Sequence, residues 1–147
     1  MIDFFEEIND LKHLFLLDID EPEDNRLIIT IKEATISKEK EGIIIGDKNL
    51  GSASRVLFDG PGKLYEFYFR TYAAYCVINE SFSMFQDNEE RMGRLFCIYS
   101  KSNYLDYIRN NTIVEYIRDG ELKHYSINCL HHTIYIASME EPMVTRE

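Results

Sequence analysis

Residues 122–138, LKHYSINCLHHTIYIAS, decide how this chain is interpreted, because they form either a reactive centre or a pair of β-strands. One cysteine and three histidines fall within nine positions of this stretch. Side chains alternate between the two faces of a strand, so Tyr125, Ile127 and Cys129 share one face and His124 lies on the other. The alternation predicts two β-strands that carry histidine.

A metal site is not predicted from these histidines. His131 and His132 are adjacent, so they point to opposite faces of the second strand and cannot both ligate one metal from it. A zinc site needs His124 or His13 together with carboxylates, and neither the H-E-x-x-H nor the C-x-x-C spacing is present. Cys129 is expected to be a small, buried and unreactive core residue. We therefore expect no metal and no cofactor.

Catalytic motifs are missing from the sequence. Cys76 or Cys97 could pair with His124 as a nucleophile and its base, but each cysteine lies inside an apolar and aromatic run that is typical of a core. The chain has no G-x-S-x-G elbow, no G-x-G-x-x-G loop and no P-loop. We predict no catalytic residue, and a binding function is favoured over an enzymatic one.

Length and composition indicate one globular domain that spans residues 1–147, with 45% apolar and 13% aromatic residues. The first residues carry acids where a secretory signal needs bases, and no apolar run is long enough to span a bilayer. Three widely spaced cysteines argue against a disulfide framework. We expect a cytoplasmic protein without a membrane partner.

Negative charge is concentrated near the amino terminus. Nine of the 26 acids, but only one base, fall in the first 24 residues, which gives this segment a net charge of −8 out of −10 for the chain. Such a surface repels phosphate backbones, so nucleic acid is not expected as a partner and a basic protein is. Acidic termini that serve only solubility are the alternative. The candidate partner-binding residues are Asp18, Asp20, Glu21, Glu23 and Asp24.

Apolar periodicity predicts the elements of the first half. Residues 2–8 favour a short helix, and residues 11–32 favour a β-hairpin whose second strand alternates from Leu27. Brief strands are expected at GIIIG and RVLFDGPG, with an exposed loop at about residues 46–54 between them. Residues 63–81, KLYEFYFRTYAAYCVINES, predict one long, central and bulged strand.

The second half adds strands and a helix. RLFCIYS predicts a strand, SKSNYLDYIRNN predicts a helix capped by Ser102, and Asp119-Gly120 predicts a hairpin turn between two strands. The fold class is therefore α+β and mainly antiparallel β, a sheet or sandwich of about eight strands with one or two short helices.

Three segments, YCVINESF, GRLFCIYSKSNYLDYI and LKHYSINCLHHTIYIASMEEP, resemble a family of small, uncharacterised bacterial cytoplasmic proteins. The resemblance covers roughly residues 65–142 and includes the Asn79-Glu80 pair, the IYSKSNYLDY run and the KHY segment with His132. It implies a shared purpose for these segments without naming it. The polar residues that the resemblance suggests as functional candidates are Asn79, Glu80, Ser100, Ser102 and His124.

Two functional hypotheses follow. The first is a protein–protein interaction domain, in its most concrete form an acidic immunity protein that neutralises a basic toxin. The second is a small-ligand-binding domain or enzyme, whose candidate pocket consists of the five polar residues above. Its expected aromatic lining is Tyr68, Tyr72, Tyr99 and Tyr104.

Overall fold

A computed structural model describes residues 1–57, 62–117 and 121–147, with the backbone alone for 37–41, 43–45, 49–50 and 52–57. Two antiparallel sheets of five strands each and two short helices make up the described chain, which confirms the α+β, mainly antiparallel fold. The helices are Phe5–Asp10 (α1) and Asn103–Asn111 (α2). The strands are His13–Asp20 (β1), Leu27–Ile45 (β2), Lys48–Leu57 (β3), Leu64–Phe69 (β4), Ala74–Asn79 (β5), Glu90–Met92 (β6), Phe96–Lys101 (β7), Lys123–Asn128 (β8), His132–Ser138 (β9) and Met143–Arg146 (β10).

Sheet 1 begins with the predicted amino-terminal hairpin. Strands β1 and β2 pair antiparallel around the turn at residues 21–26, and the order of the sheet is β1-β2-β4-β10, with β3 paired to the far part of β2. Leu27, Ile29 and Ile31 are fully buried on one face, as their alternation predicts. The α1 helix lies just before this hairpin and buries Phe5 and Ile8.

The predicted loop at residues 46–54 is wrong. β2 continues to Ile45, and β3 pairs back along it from Lys48, so most of the expected loop is strand. Gly46 has a φ of 63° in the two-residue turn between Ile45 and Lys48, a conformation that glycine adopts readily. Residues 58–61 of the RVLFDGPG segment lie outside the described residues.

The single long strand predicted at residues 63–81 is also wrong. The segment forms β4 in the interior of sheet 1 and β5 at the edge of sheet 2, so the chain crosses between the sheets at residues 70–73. Tyr65, Phe67 and Phe69 are buried on one parity as predicted. The alternation holds within each strand, but it does not indicate that the chain passes from sheet 1 to sheet 2.

Sheet 2 contains the stretch that opened the sequence analysis. Its order is β5-β9-β8-β7-β6, and β8 and β9 are the antiparallel pair predicted from residues 122–138. The inner face of this pair contributes Tyr125, Ile127, Ile134 and Ile136 to a core that it shares with sheet 1. Leu105 and Ile108 of α2 belong to a smaller cluster with Ala137 of β9, which places α2 on the outer face.

The carboxyl-terminal half follows the sequence in part. Ser102 caps α2 as predicted, since its Oγ accepts a hydrogen bond from the Leu105 N–H at 3.0 Å. Residues Val114–Tyr116 form a 3₁₀ helix instead of the strand expected before the Asp119-Gly120 turn, and that turn lies outside the described residues. Among the described residues, no helix is long and apolar enough to cross a membrane.

Candidate functional site

The five predicted partner-binding carboxylates lie together at one end of sheet 1. They occupy the end of β1 and the turn into β2, and all five are exposed. We call Asp18, Asp20, Glu21, Glu23 and Asp24 the acidic tip. The turn is closed by the Arg26 N–H, which donates to the Glu23 carbonyl at 3.1 Å, and by Asn25 in the left-handed region.

Only two of the five carboxylates of the acidic tip have a partner within the described residues. Glu21 accepts a hydrogen bond from the Tyr72 hydroxyl, and Glu23 forms an ion pair with Arg26 at 3.3 Å. The side chains of Asp18, Asp20 and Asp24 have no hydrogen bond or ion pair within the described part of the chain. Three exposed carboxylates at one hairpin end are therefore available to an external cation.

His124 is a buried residue of the outer face of sheet 2. Its Nδ1 lies 2.7 Å from the Oγ of Ser102, and neither side chain is accessible to solvent to any useful extent. Ser102 Oγ also accepts from the Leu105 N–H, so this one hydroxyl links the imidazole to the first turn of α2. Nε2, on the other side of the ring, is buried and has no hydrogen-bond partner among the described residues.

Three tyrosine rings enclose this histidine. Tyr99 stacks on it with ring centroids 3.9 Å apart, Tyr104 tilts against it at 5.0 Å, and Tyr135 meets it edge to face at 4.5 Å. Burial lowers the pKa of His124 to about 3, so the ring is neutral at physiological pH and is a weak proton acceptor. The Ser102–His124 pair therefore resembles a catalytic dyad in distance alone, and its contacts are those of a packed core.

The structure does not bring the five residues of the candidate ligand pocket together. Asn79 caps the short 3₁₀ helix Glu80–Phe82 by accepting from the Ser81 N–H, and Ser100 is exposed, with its hydroxyl donating to the Glu90 carbonyl.

Asn79 is opposite His132, whereas His124 is opposite Ala137 and one strand further across the sheet. Strand spacings put these two positions about 17 Å apart along the sheet and about 10 Å apart across it. Ser100, Ser102 and His124 lie near one another, while Asn79 and Glu80 lie elsewhere.

The expected tyrosine lining is divided in the same way. Tyr99 and Tyr104 pack on His124, but Tyr68 belongs to β4 of sheet 1, where its hydroxyl accepts from Arg26 at 3.2 Å. Tyr72 precedes β5 and packs edge to face on Tyr75. The tyrosines therefore serve two different parts of the molecule.

Glu80 instead borders a cavity of about 500 Å³, which we call the Glu80 cavity. Its polar lining comes from separate parts of the chain, and its apolar lining includes Leu14, Phe85 and Leu130. The arginine, glutamate and histidine side chains around it are His13, Glu80, Arg91, Arg94 and His131. Sequence reasoning found Glu80 but missed the two arginines and their proximity to it.

The two arginines make different contacts. Arg94 donates to the carbonyls of Asn9, Leu11 and Lys12, so it closes the end of α1. Arg91 donates to the Tyr99 hydroxyl at 3.3 Å. Neither arginine has a carboxylate partner among the described residues. Two guanidinium groups without an internal counter-ion therefore line one cavity.

Asn9 is a third residue whose role sequence reasoning missed. Its Oδ1 accepts from the backbone N–H groups of Arg94, Leu95 and Phe96 at 2.7, 2.8 and 3.1 Å. Its Nδ2 donates to the carbonyls of Phe5 and Phe96, both at 3.0 Å. This one side chain fixes α1 against the start of β7 and so positions one wall of the Glu80 cavity.

The cysteines are free, and burial raises the pKa of each thiol, to about 12 for Cys129. Within residues 1–57, 62–117 and 121–147, no three or more His, Cys, Asp or Glu side chains are grouped to hold a metal ion. Comparisons of this chain with protein-family models, with curated proteins and with solved structures give no match.

Proposed function

We propose that this protein binds another protein through the acidic tip and that the partner carries a basic surface. The observation that carries the proposal is the set of three exposed carboxylates, Asp18, Asp20 and Asp24, without an internal partner. In its most concrete form the protein is an immunity protein that neutralises a basic toxin. A nuclease toxin fits this description because it needs Lys and Arg to hold a phosphate backbone.

Electrostatics favour the tip as a first point of contact. Charges at a projecting turn remain in water until the partner arrives, so binding does not first require breaking internal ion pairs. Exposed charges of one sign accelerate encounter with a surface of opposite sign, and the effect is lost as salt screens it. We expect the tip to contribute mainly to the association rate.

The test compares two variants with equal loss of charge. The tip variant carries Asp18→Asn, Asp20→Asn and Asp24→Asn. The control variant carries Asp3→Asn, Asp87→Asn and Glu121→Gln, three exposed acids that also have no internal partner among the described residues. Tagged wild type and both variants are used to capture proteins from lysate of the native organism, at low salt and at about 1 M salt, where the Debye length is about 3 Å.

We expect wild type and the control variant to retain the same basic protein at low salt and to release it at high salt. The tip variant should lose it, and with the purified partner its association rate should fall about tenfold. Equal capture and equal rates for the two variants would remove the acidic tip from the proposal. If the partner is toxic to cells, co-expression of wild type, but not of the tip variant, should restore growth.

A second candidate function is the binding of a small anionic ligand in the Glu80 cavity. The observation that favours it is the pair of arginines without an internal counter-ion, beside an apolar wall that includes Phe85. Guanidinium groups bind carboxylate and phosphate groups in a two-pronged geometry, and a largely apolar cleft with a few convergent polar groups is the usual form of a ligand site.

Arg91→Gln is the variant that tests this candidate, because Arg94 is needed to hold α1. The matched control is Arg26→Gln, since Arg26 also donates to a tyrosine hydroxyl but lies in the turn just before β2 of sheet 1. Inorganic phosphate and a panel of aromatic carboxylates are titrated while the thermal midpoint is followed. A stabilisation that is present in wild type and Arg26→Gln but absent in Arg91→Gln supports the site, and equal responses of all three proteins contradict it.

A further inference from the structure

The edge strand β5 lacks the features that protect the other edge strands whose side chains are described. A sheet edge presents unpaired N–H and C=O groups, and natural proteins protect it with charges, bulges or short strands. Strand β1 carries two aspartates and a register shift, β6 has three residues of which two are charged, and β10 has four residues and ends on Arg146. Each of these edges therefore resists pairing with another chain.

Strand β5 has six residues, AYCVIN, and none of them is charged, proline or glycine. Its register with β9 is unbroken from Ala74 opposite Ala137 to Asn79 opposite His132. Val77 in its middle is 44% exposed. A regular, uncharged and partly apolar edge of this length is a template for one more strand.

The hydrogen bonds of β5 show which backbone groups face outward. The Glu80 N–H donates to the His131 carbonyl at 3.1 Å, and this bond sets the phase of the antiparallel ladder. Hydrogen-bonded and non-bonded positions alternate along such a ladder, so Cys76 and Ile78 bond to β9 while Tyr75 and Val77 direct their N–H and C=O groups away from it. Within the described chain, these outward groups have no hydrogen-bond partner.

We propose that β5 pairs antiparallel with β5 of a second copy of this chain, so that two copies of sheet 2 join into one continuous sheet. The two-fold axis passes beside Val77, which lies opposite Val77 of the second copy, and Tyr75 lies opposite Asn79. A second copy is the occupant because this arrangement satisfies the same outward groups on both chains at once, which is the requirement of a two-fold interface. The β-branched side chains at the centre also pack well across strands.

No charge within β5 itself opposes this pairing, although each chain has a net charge of −10. The acids of the acidic tip belong to sheet 1, and residues 74–79 contain no charge. One added strand pair is a small interface, so we expect a reversible dimer with a Kd of about 10–100 µM.

Val77→Pro tests the proposal by removing a single backbone N–H donor. Proline removes the outward N–H of Val77 but none of the bonds to β9, and proline is tolerated on an edge where the N–H faces solvent. Val77→Thr is the control because it keeps both the β-branched shape and the N–H. Sedimentation velocity from about 1 to 200 µM should detect a dimer for wild type and Val77→Thr and a Kd at least tenfold weaker for Val77→Pro.

Two further measurements keep the test decisive. If Val77→Pro loses its folded circular-dichroism spectrum, Val77→Lys replaces it, since a lysine at the two-fold axis opposes its own copy without altering the ladder. Val77→Cys should form a disulfide-linked dimer under mild oxidation, because directly opposed hydrogen-bonded residues lie about 5.5 Å apart at Cα.

Wild type should not cross-link in the same way, since Cys76 lies opposite Ile78 in this register. A wild-type monomer at all concentrations, or a dimer that Val77→Pro and Val77→Lys leave intact, would overturn the proposal.

Discussion

Asn9 gives the most direct test of how the structure is held together. Its side chain makes five hydrogen bonds to backbone groups, three of them to N–H donors at the start of β7 and two to carbonyls. The substitution Asn9→Ala removes all five at once while changing little else, because alanine is favoured in a helix. We expect this one change to loosen the contact between α1 and sheet 2.

The magnitude follows from the burial of the groups that lose their partner. Leu95 is 6% exposed and Phe96 is fully buried, so water does not readily replace the bonds to their N–H groups, whereas Arg94 is exposed and its N–H can rebind water. A net loss of about 1 kcal/mol for each of these two bonds and for the bond to the Phe96 carbonyl gives a destabilisation of about 3 kcal/mol. For a chain of this size that corresponds to a fall of roughly 6–12 °C in Tm.

Urea unfolding of wild type and variant, followed by circular dichroism, measures this loss as a shift of the midpoint at constant slope. Asn111→Ala is the matched control, because Asn111 makes one exposed hydrogen bond, from Nδ2 to the Tyr107 carbonyl at 2.8 Å, and should cost less than about 0.5 kcal/mol. If Asn9→Ala costs no more than Asn111→Ala, the role assigned to Asn9 is refuted.

Two further predictions concern a carboxylate and a buried serine. Hydrogen bonds from the Tyr65 hydroxyl and from arginine and lysine side chains lower the pKa of Glu7 from 4.5 to about 2, so its stabilising contribution is complete above pH 4.5 and disappears as the pH falls toward 2. The stability difference between wild type and Glu7→Gln should therefore shrink across that interval in urea titrations, and a constant difference would contradict the assignment. Ser102→Ala removes a helix cap and leaves Nδ1 of His124 buried without a partner, so the free energy of unfolding should fall by about 2–4 kcal/mol. In the same assay the exposed control Ser100→Ala should lower it by less than about 0.5 kcal/mol. Equal effects of the two substitutions would exclude this role for Ser102.

Local patterns in the sequence were sufficient for individual elements. The alternation of Leu27, Ile29 and Ile31 predicted a half-buried strand, and Ser102 before an amphipathic segment predicted a capped helix. These signals are local because strand alternation and helix capping involve residues only two to four positions apart. For the same reason the strands on either side of Cys129 could be distinguished from a reactive centre.

The arrangement of those elements was not available from the sequence. Strand β3 has little apolar alternation and exists because its backbone pairs with β2, and residues 63–81 divide because β4 and β5 find partners in different sheets. Pairing of this kind is decided by contacts between residues far apart in the chain, which a local pattern does not record.

The candidate sites show the same difference between what is local in the sequence and what depends on the fold. The sequence by itself determined the acidic tip, because its residues fall within seven positions of one hairpin and a charged side chain can be recognised without knowing its neighbours in space. Only the tertiary structure decided that His124 is enclosed by Ser102 and three tyrosines, and that Glu80 shares a cavity with Arg91 and Arg94. The reason is physical: burial and proximity depend on which strands lie side by side, and the order β5-β9-β8-β7-β6 brings together side chains that the sequence keeps apart.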